Sequence, residues 1–266
     1  MNKLVSASER ERPETALFIL HNDPRCYERI IMQDKLYIII PAYNEEENIA
    51  TVVDEWYPIA VMAGPESRLV VVNDGSRDRT LEVLRSEEEK RPQLIVKTKD
   101  NSGHGPTILA GYKYALSKGA DYVFQTDSDG QTRPEEFEEF FRCRRQYDMV
   151  IGSRKSRQDG LSRVIVTRVL KLVVFLCFHV WVEDANTPFR LMKAEALKRE
   201  IRYVPSDYFL TNVLLTVAFT KHGRSIRYIP ITFRPRQGGI NSINLKRIFG
   251  IGRKALLDFV KLNKIL

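Results

Sequence analysis

The sequence predicts an α/β fold: a mostly parallel sheet flanked by helices, with amphipathic helices in the C-terminal half. Two observations carry this reading. Five short apolar runs rich in β-branched residues do not alternate with polar ones, which suits strands covered on both faces. Helix-like segments separate them, and strands alternating with helices imply βαβ units with right-handed crossovers. The 266 residues, 43% hydrophobic and 29% charged, fit one large domain or one domain with an extension. They exclude a wholly disordered, collagenous or multi-span membrane chain.

The elements follow in order. Residues 1–34 mix acids and bases, lack the long apolar run of a signal peptide, and read as an N-terminal extension with one short helix. The strands are LYIII (Leu36–Ile40), RLVVV (Arg68–Val72), QLIV (Gln93–Val96), YVFQ (Tyr122–Gln125) and DMVI (Asp148–Ile151). Between them, helices are expected over Glu46–Tyr57, Asp78–Lys90, Pro106–Lys118 and Pro134–Arg145, with Asp78 as a cap and Pro134 at a helix start. The main domain is read as 35–242, its part from about 155 facing the acceptor and the membrane, followed by a C-terminal helix over 243–266. Three cysteines, Cys26, Cys143 and Cys177, form no CxxC pair. A disulfide framework and a Cys-based zinc site are therefore not expected, and a reducing, cytoplasmic compartment is.

Three polar clusters directly follow strands: Tyr43-Asn44-Glu45, Asn73-Asp74-Gly75-Ser76 and Asp127-Ser128-Asp129-Gly130-Gln131. In an open parallel sheet, ligands bind beyond the carboxyl ends of the strands. On an extended segment Asp127, Asp129 and Gln131 project to one side, a hard-oxygen set suited to Mg²⁺ or Mn²⁺. The same residues also make an ordinary strand-ending turn. Asp74 is placed to accept hydrogen bonds from a base or ribose, and Tyr43 offers a flat face for stacking. Asn101-Ser102-Gly103-His104-Gly105-Pro106 opens a helix whose N-terminus suits a phosphate. Its spacing matches neither the Walker loop nor G-x-G-x-x-G. His104 has no partner at metal-ligand spacing and reads as a loop residue.

Taken together, PAYNEEENI, VVVNDGSRDRT, NSGHGPTILAGYKYALSKGADYVFQTDSDGQ and GSR resemble the ordered signature of family 2 glycosyltransferases with the GT-A fold. Within that family the likeness is to dolichyl- or polyprenyl-phosphate sugar synthases, over roughly Leu36 to Ile251. The resemblance implies a UDP- or GDP-linked sugar donor, a divalent cation and inversion at the anomeric carbon. It implies that Pro41, Tyr43, Glu45 and Asp74 line the nucleotide pocket with Ser128 near the donor. Asp127 and Asp129 would be the D-x-D pair, Asp129 acting in catalysis, and Gln131 would complete the metal site. Arg154, Arg190 and Arg236 would face phosphates. Two departures lie on the acceptor side: Pro188-Phe189-Arg190 replaces Gly-Phe-Arg, and Gly239-Ile240-Asn241-Ser242 replaces Gly-Glu-Ser-Lys.

The chemistry agrees with this set. Leaving-group charge on a pyrophosphate calls for a Lewis acid and arginine forks. A lipid phosphate is already an anionic nucleophile, whereas a sugar hydroxyl of a lipid-linked or cell-envelope glycan needs a base. Asp184 is the candidate for that base, and it equally suits a cap or turn before Pro188. A sugar-nucleotide pyrophosphorylase would carry a Gly-rich, Arg-containing loop where Pro41-Ala42-Tyr43-Asn44-Glu45 stands.

Charge points to a partner for the C-terminal half. Lys and Arg total 42 against 34 Asp and Glu, a net +8, and the segment from Arg224 onward alone carries +9. Val164–Val182 is the most apolar stretch, about 28 Å long as a helix. Arg168 and Lys171 within it, and a site that a crossing would split, argue against a span. It is expected to lie on the bilayer or be buried in protein. On a helix through Leu245–Leu266, Lys246, Arg247, Arg253, Lys254, Lys261 and Lys264 share roughly a 120° arc. That is the pattern of an anchor on an anionic membrane surface or of a solvated basic face. Nucleic acid is not expected as a partner, because no helix-turn-helix, zinc-finger or aromatic-basic RNP pattern accompanies the charge.

Overall fold

The computed structural model describes residues 34–154, 161–234 and 255–266, with side chains over 34–153, 168–234 and 255–266. The extension expected over 1–34 falls, but for its last residue, outside the described residues.

In chain order the elements are β1 (Leu36–Ala42), α1 (Ile49–Met62), β2 (Arg68–Asn73), α2 (Thr80–Lys90), β3 (Leu94–Thr98), α3 (His104–Ser117) and β4 (Tyr122–Gln125). There follow a short 3-10 turn at Pro134–Glu136, α4 (Phe137–Cys143), β5 (Met149–Arg154), α5 (Leu161–Phe178), β6 (Arg190–Lys193) and α6 (Ala194–Glu200). Then come a second 3-10 turn at Ile201–Tyr203, α7 (Thr211–Lys221) and β7 (Ile226–Ile231). A last helix, α8, covers 255–262.

The seven strands form one sheet in the order β3-β2-β1-β4-β6-β5-β7. β1 pairs in parallel with β2 and β4, β2 with β3, and β5 with β7. β6 runs antiparallel to both β4 and β5. Every strand except β6 therefore ends on the same edge. Arg190, the first residue of β6, opposes Gln125, the last of β4, on that edge.

The strands sort their side chains by parity, as a pleat requires. Tyr37, Ile39, Val70, Val72 and Val123 join one core with α3, α5, α7 and α8. Leu36, Ile38, Ile40, Leu69, Val71 and Phe124 join a second core with α1, α2 and α4. The uninterrupted apolar runs follow from this, since both faces are dry. In the second core Trp56, Phe124, Phe137, Phe140 and Phe189 meet edge-on or tilted, with centroids 4.8 to 6.4 Å apart.

The five expected strands are all present; β1, β2, β3 and β5 run one to three residues further at their carboxyl ends, and β3 and β5 each start one residue later. α1 begins at Ile49 rather than Glu46 and continues past Tyr57 through Pro58 to Met62. Proline removes one helical bond, but Trp56, Ile59 and Ala60 are buried on either side of it, and that packing carries the helix onward. Asp78 stands two residues before α2, where its carboxylate accepts from the N–H of Thr80 at 3.0 Å and of Glu46 at 3.2 Å. β6, β7 and α6 are not marked by comparable runs in the sequence, and the run VLLTVAF (Val213–Phe219) forms α7.

α5 settles the long apolar stretch. It stops at Phe178, and His179 takes a positive φ of 59°. Among the described residues, no helix is long and apolar enough to cross a membrane. One side of α5 is buried through Val174, Cys177 and Phe178, while Val169, Leu172, Phe175 and Leu176 are exposed on the other. α8 docks beside it, with Phe178 and Phe259 at 5.2 Å, and leaves Leu256, Leu257 and Val260 exposed. Lys221 holds the end of α8 by donating to Asn263 Oδ1 at 2.5 Å. Half of the basic helix expected over 243–266, including Lys246, Arg247, Arg253 and Lys254, lies outside the described residues.

Candidate active site

The loops after β1, β2, β3 and β4 enclose a cleft of about 330 Å³ on the shared carboxyl edge. Seven of the residues expected to act there line it: Pro41, Tyr43, Glu45, Asp74, Asp127, Ser128 and Asp129. Each sits where a strand stops and its backbone turns outward, so its position follows directly from the strand register.

The first two loops brace each other. Asn44 takes a left-handed φ of 55° and lets its backbone N–H donate to Ser76 Oγ at 3.0 Å. In return its side-chain oxygen accepts from Arg77 N–H at 2.8 Å. Thr80 Oγ1 accepts from Glu45 N–H at 2.8 Å. Asn73 closes its own turn by accepting from the Ser76 hydroxyl at 2.5 Å. Gly75 has a φ of +64°, and a Cβ there would lie 2.9 Å from Asn101 N. The glycine thus allows the loops after β2 and β3 to touch.

Asp74 is almost wholly buried at the base of the cleft. Its Oδ1 accepts from Ser102 N–H at 3.0 Å and from Lys99 Nζ, and its Oδ2 from Gly103 N–H at 2.8 Å. Its carboxylate is therefore already the organiser of the segment that leads into α3.

The Asp127-Ser128-Asp129 turn is pinned from below. Thr126 donates its N–H to Ile39 O at 3.1 Å, and its hydroxyl lies 2.6 Å from that of Thr132. Asp129 Oδ1 accepts from Gln131 N–H at 3.1 Å. Two carboxylates from one turn face the cleft, and their hard oxygens fit Mg²⁺ or Mn²⁺. Among the described residues no three His, Cys, Asp or Glu side chains converge on one point. The described residues thus offer a carboxylate pair at this turn.

Four expectations need correction. Gln131 does not line the cleft; its amide nitrogen donates to the Arg234 carbonyl at 3.2 Å, tying the turn to the segment after β7. Arg190 does not face phosphates. It is fully buried, and its guanidinium donates to the carbonyls of Ala185, Thr187 and Asn212 at 2.7 to 3.1 Å and to Thr216 Oγ1 at 3.2 Å. Burial lowers its pKa below the ordinary guanidinium value, against the pull of neighbouring acidic groups including Asp184. Asp184 is also buried and outside the cleft lining, with Oδ1 accepting from Asn186 N–H at 3.3 Å. That hydrogen bond closes the turn before Pro188.

The fourth correction is His104. It is not a loop residue but the first residue of α3, and it lines the cleft with Nε2 at 3.1 Å from Asp127 Oδ1. Desolvation opposes its charge, yet the Asp127 carboxylate, the bond to it and the Asp129 charge raise its pKa above the usual imidazole range. Gly105 follows it, and a Cβ there would lie 2.3 Å from Tyr208 O, so only glycine lets α3 start this close to the 208–209 backbone. Asn101 and Thr107 line the cleft as well and carried no sequence signal of their own beyond the glycine pair beside them. Arg154 ends β5 on the same edge as the cleft, but its side chain lies outside the described residues, as does all of Arg236.

Comparison with known proteins agrees with this architecture. The chain is 27% identical over 217 residues to polyprenol monophosphomannose synthase of Mycolicibacterium smegmatis, covering 78% of this chain and 80% of the relative. It is 28% identical over 214 residues to undecaprenyl-phosphate mannosyltransferase of Micrococcus luteus, covering 77% and 86%. In fold it resembles glucosyl-3-phosphoglycerate synthase from Mycobacterium tuberculosis, solved with Mn²⁺ and uridine-diphosphate-glucose. That likeness has a TM-score of 0.65 at 16% identity and covers 90% of this chain and 83% of that one. The α/β sheet with flanking helices is thus GT-A-like, as expected. A model described as glycosyl transferase family 2 matches residues 37–200, the segment that carries every residue lining the cleft. The chain belongs to glycosyl transferase family 2 and is a glycosyltransferase.

Proposed function

We propose that this glycosyltransferase moves a sugar, with inversion, from a nucleoside-diphosphate sugar to a polyprenyl phosphate at the cytoplasmic face of an anionic membrane. The observation that carries the donor half is the meeting of Tyr43, Asp74, Asp127 and Asp129 in one cleft. Tyr43, about two-fifths exposed, offers a stacking face at the rim, and Asp74 a buried acceptor below it. Asp127 and Asp129 would hold Mg²⁺ or Mn²⁺ against the pyrophosphate, where the ion supplies Lewis-acid stabilisation of leaving-group charge. His104, held by Asp127, adds a second positive group on that side.

The acceptor half rests on a different argument. A phosphate monoester attacks without a base, and Asp184, the base the sequence suggests, is buried and outside the cleft lining. The relatives named above act, by their names, on polyprenol and undecaprenyl phosphate. The exposed Val169, Leu172, Phe175, Leu176 and Trp181, beside Leu256, Leu257 and Val260, supply an apolar surface for an acyl boundary. Lys261 and Lys264 at its edge suit anionic headgroups.

The test is nucleoside diphosphate release from a panel of UDP- and GDP-sugars with Mn²⁺ or Mg²⁺, with and without polyprenyl phosphate, beside Asp129→Asn. Release that needs both the lipid phosphate and Asp129 is expected. Release indifferent to the lipid would move the acceptor to a glycan hydroxyl. Neither release nor binding of any donor would overturn the donor reading.

A further inference from the structure

From the acceptor capacity left on Asp74 we infer that the donor base is uracil, recognised by its single imide N–H, and that Lys99 sets this selectivity. The inference rests on the donor reading above and deepens it.

A carboxylate has about four lone-pair sites, two on each oxygen. Among the described residues, donors already reach three of those on Asp74. Oδ1 takes both Lys99 Nζ and Ser102 N–H, and Oδ2 takes Gly103 N–H. One site on Oδ2 is left, and Asp74 lines the cleft. The clamp is not a loosely swinging lysine. The Lys99 ammonium also donates to Asp100 O and Ser102 Oγ in its own loop, each at 2.6 Å, so with Asp74 all three of its protons are engaged. Asn101, which lines the cleft beside it, donates one amide proton to the Asp74 carbonyl at 3.0 Å and keeps a second.

These counts discriminate between bases. Guanine presents two adjacent donors, N1–H and N2–H, which a carboxylate matches only with a free site on each oxygen. Here Oδ1 has none, so one guanine donor would enter a desolvated pocket unpaired. Uracil presents one N–H flanked by two carbonyl oxygens. Its N–H fills the remaining site on Oδ2, and the second Asn101 proton can meet a flanking carbonyl. Cytosine and adenine place a ring-nitrogen lone pair beside their amino group, against the carboxylate.

The measurement is calorimetric binding of UDP, GDP, CDP and ADP to the full chain with Mn²⁺. UDP is expected to bind about tenfold more tightly than GDP or more, the cost of one unpaired buried donor. GDP binding as tightly as UDP would overturn the inference while leaving a nucleotide-dependent glycosyltransferase in place. Binding of none of the four would remove the donor reading and this inference with it. Lys99→Met, checked for an unchanged melting temperature, frees a site on Oδ1 and is expected to narrow the UDP preference several-fold. An undiminished preference in that folded variant would take the selectivity away from the clamp. Should Lys99→Met fail to fold, the wild-type ranking of the four nucleotides still decides the base.

Discussion

The two halves of the sheet treat similar residues in opposite ways. On the β1–β4 side, polar residues that follow strands reach the cleft: Tyr43, Asp74, Asp127 and Asp129 all line it. On the β5–β7 side, the equally suggestive Asp184 and Arg190 turn inward and are buried. For Arg190 the difference lies in strand direction. β1, β2 and β4 deliver their residues outward at their carboxyl ends, whereas Arg190 begins an antiparallel strand wedged between β4 and β5. Its side chain descends between that strand and α7, where carbonyls of the 185–187 turn and of Asn212 await it.

The sharpest way to break this contrast is Arg190→Ala. Removing the buried guanidinium deletes five hydrogen bonds at once and leaves the Thr187 carbonyl without its donor, and we expect a loss of about 3 kcal/mol or more in urea unfolding. Wild-type stability with weakened nucleotide binding would instead return Arg190 to the phosphate role. Next in size is Asp129→Asn, expected to lower nucleoside diphosphate release about 100-fold, near 2.7 kcal/mol of transition-state stabilisation, with little change in melting temperature. A fold that collapses with it would make Asp129 a structural turn residue through its bond to Gln131 N–H.

The outer face of α5 offers a milder test. Leu172→Asp with Leu176→Asp is expected to reduce sedimentation with anionic vesicles about tenfold without unfolding, since both side chains are more than half exposed. Unchanged vesicle binding would leave that face without its proposed partner. The smallest effect concerns Asp78. Burial pushes its pKa up, but the hydrogen bonds from Thr80 and Glu46 outweigh this and hold it below the usual carboxylate value. Its contribution is therefore complete above the ordinary carboxylate pKa and fades as pH falls through the lowered one. Asp78→Ala is expected to cost about 1 kcal/mol at neutral pH and less near pH 3, read from paired unfolding curves.

Legibility in the sequence followed the same division. Runs such as LYIII and RLVVV gave themselves away because both faces of the sheet are dry, and the polar residues after them could only sit on its edge. β6 and β7 were hidden. RLMK and IRYIPI carry charges or a proline within four to six residues, and their pairing comes from neighbours distant in the chain. His104 carries no local signal for a related reason. Its partner Asp127 lies 23 residues away on another loop, and no local spacing joins them.

The amino-acid sequence by itself determined the α/β class, the order of the first five strands and the identity of the carboxylates at their ends. Those features are local, set by side-chain burial along a strand and by the turn that must follow it. Tertiary structure alone decided that Asp74 is already clamped by Lys99, that His104 stands beside Asp127, and that Arg190 and Asp184 are internal. Each of these depends on segments meeting across the sheet or between loops. The direction of a buried donor is fixed by which acceptors the fold places around it, and a linear pattern holds no record of that.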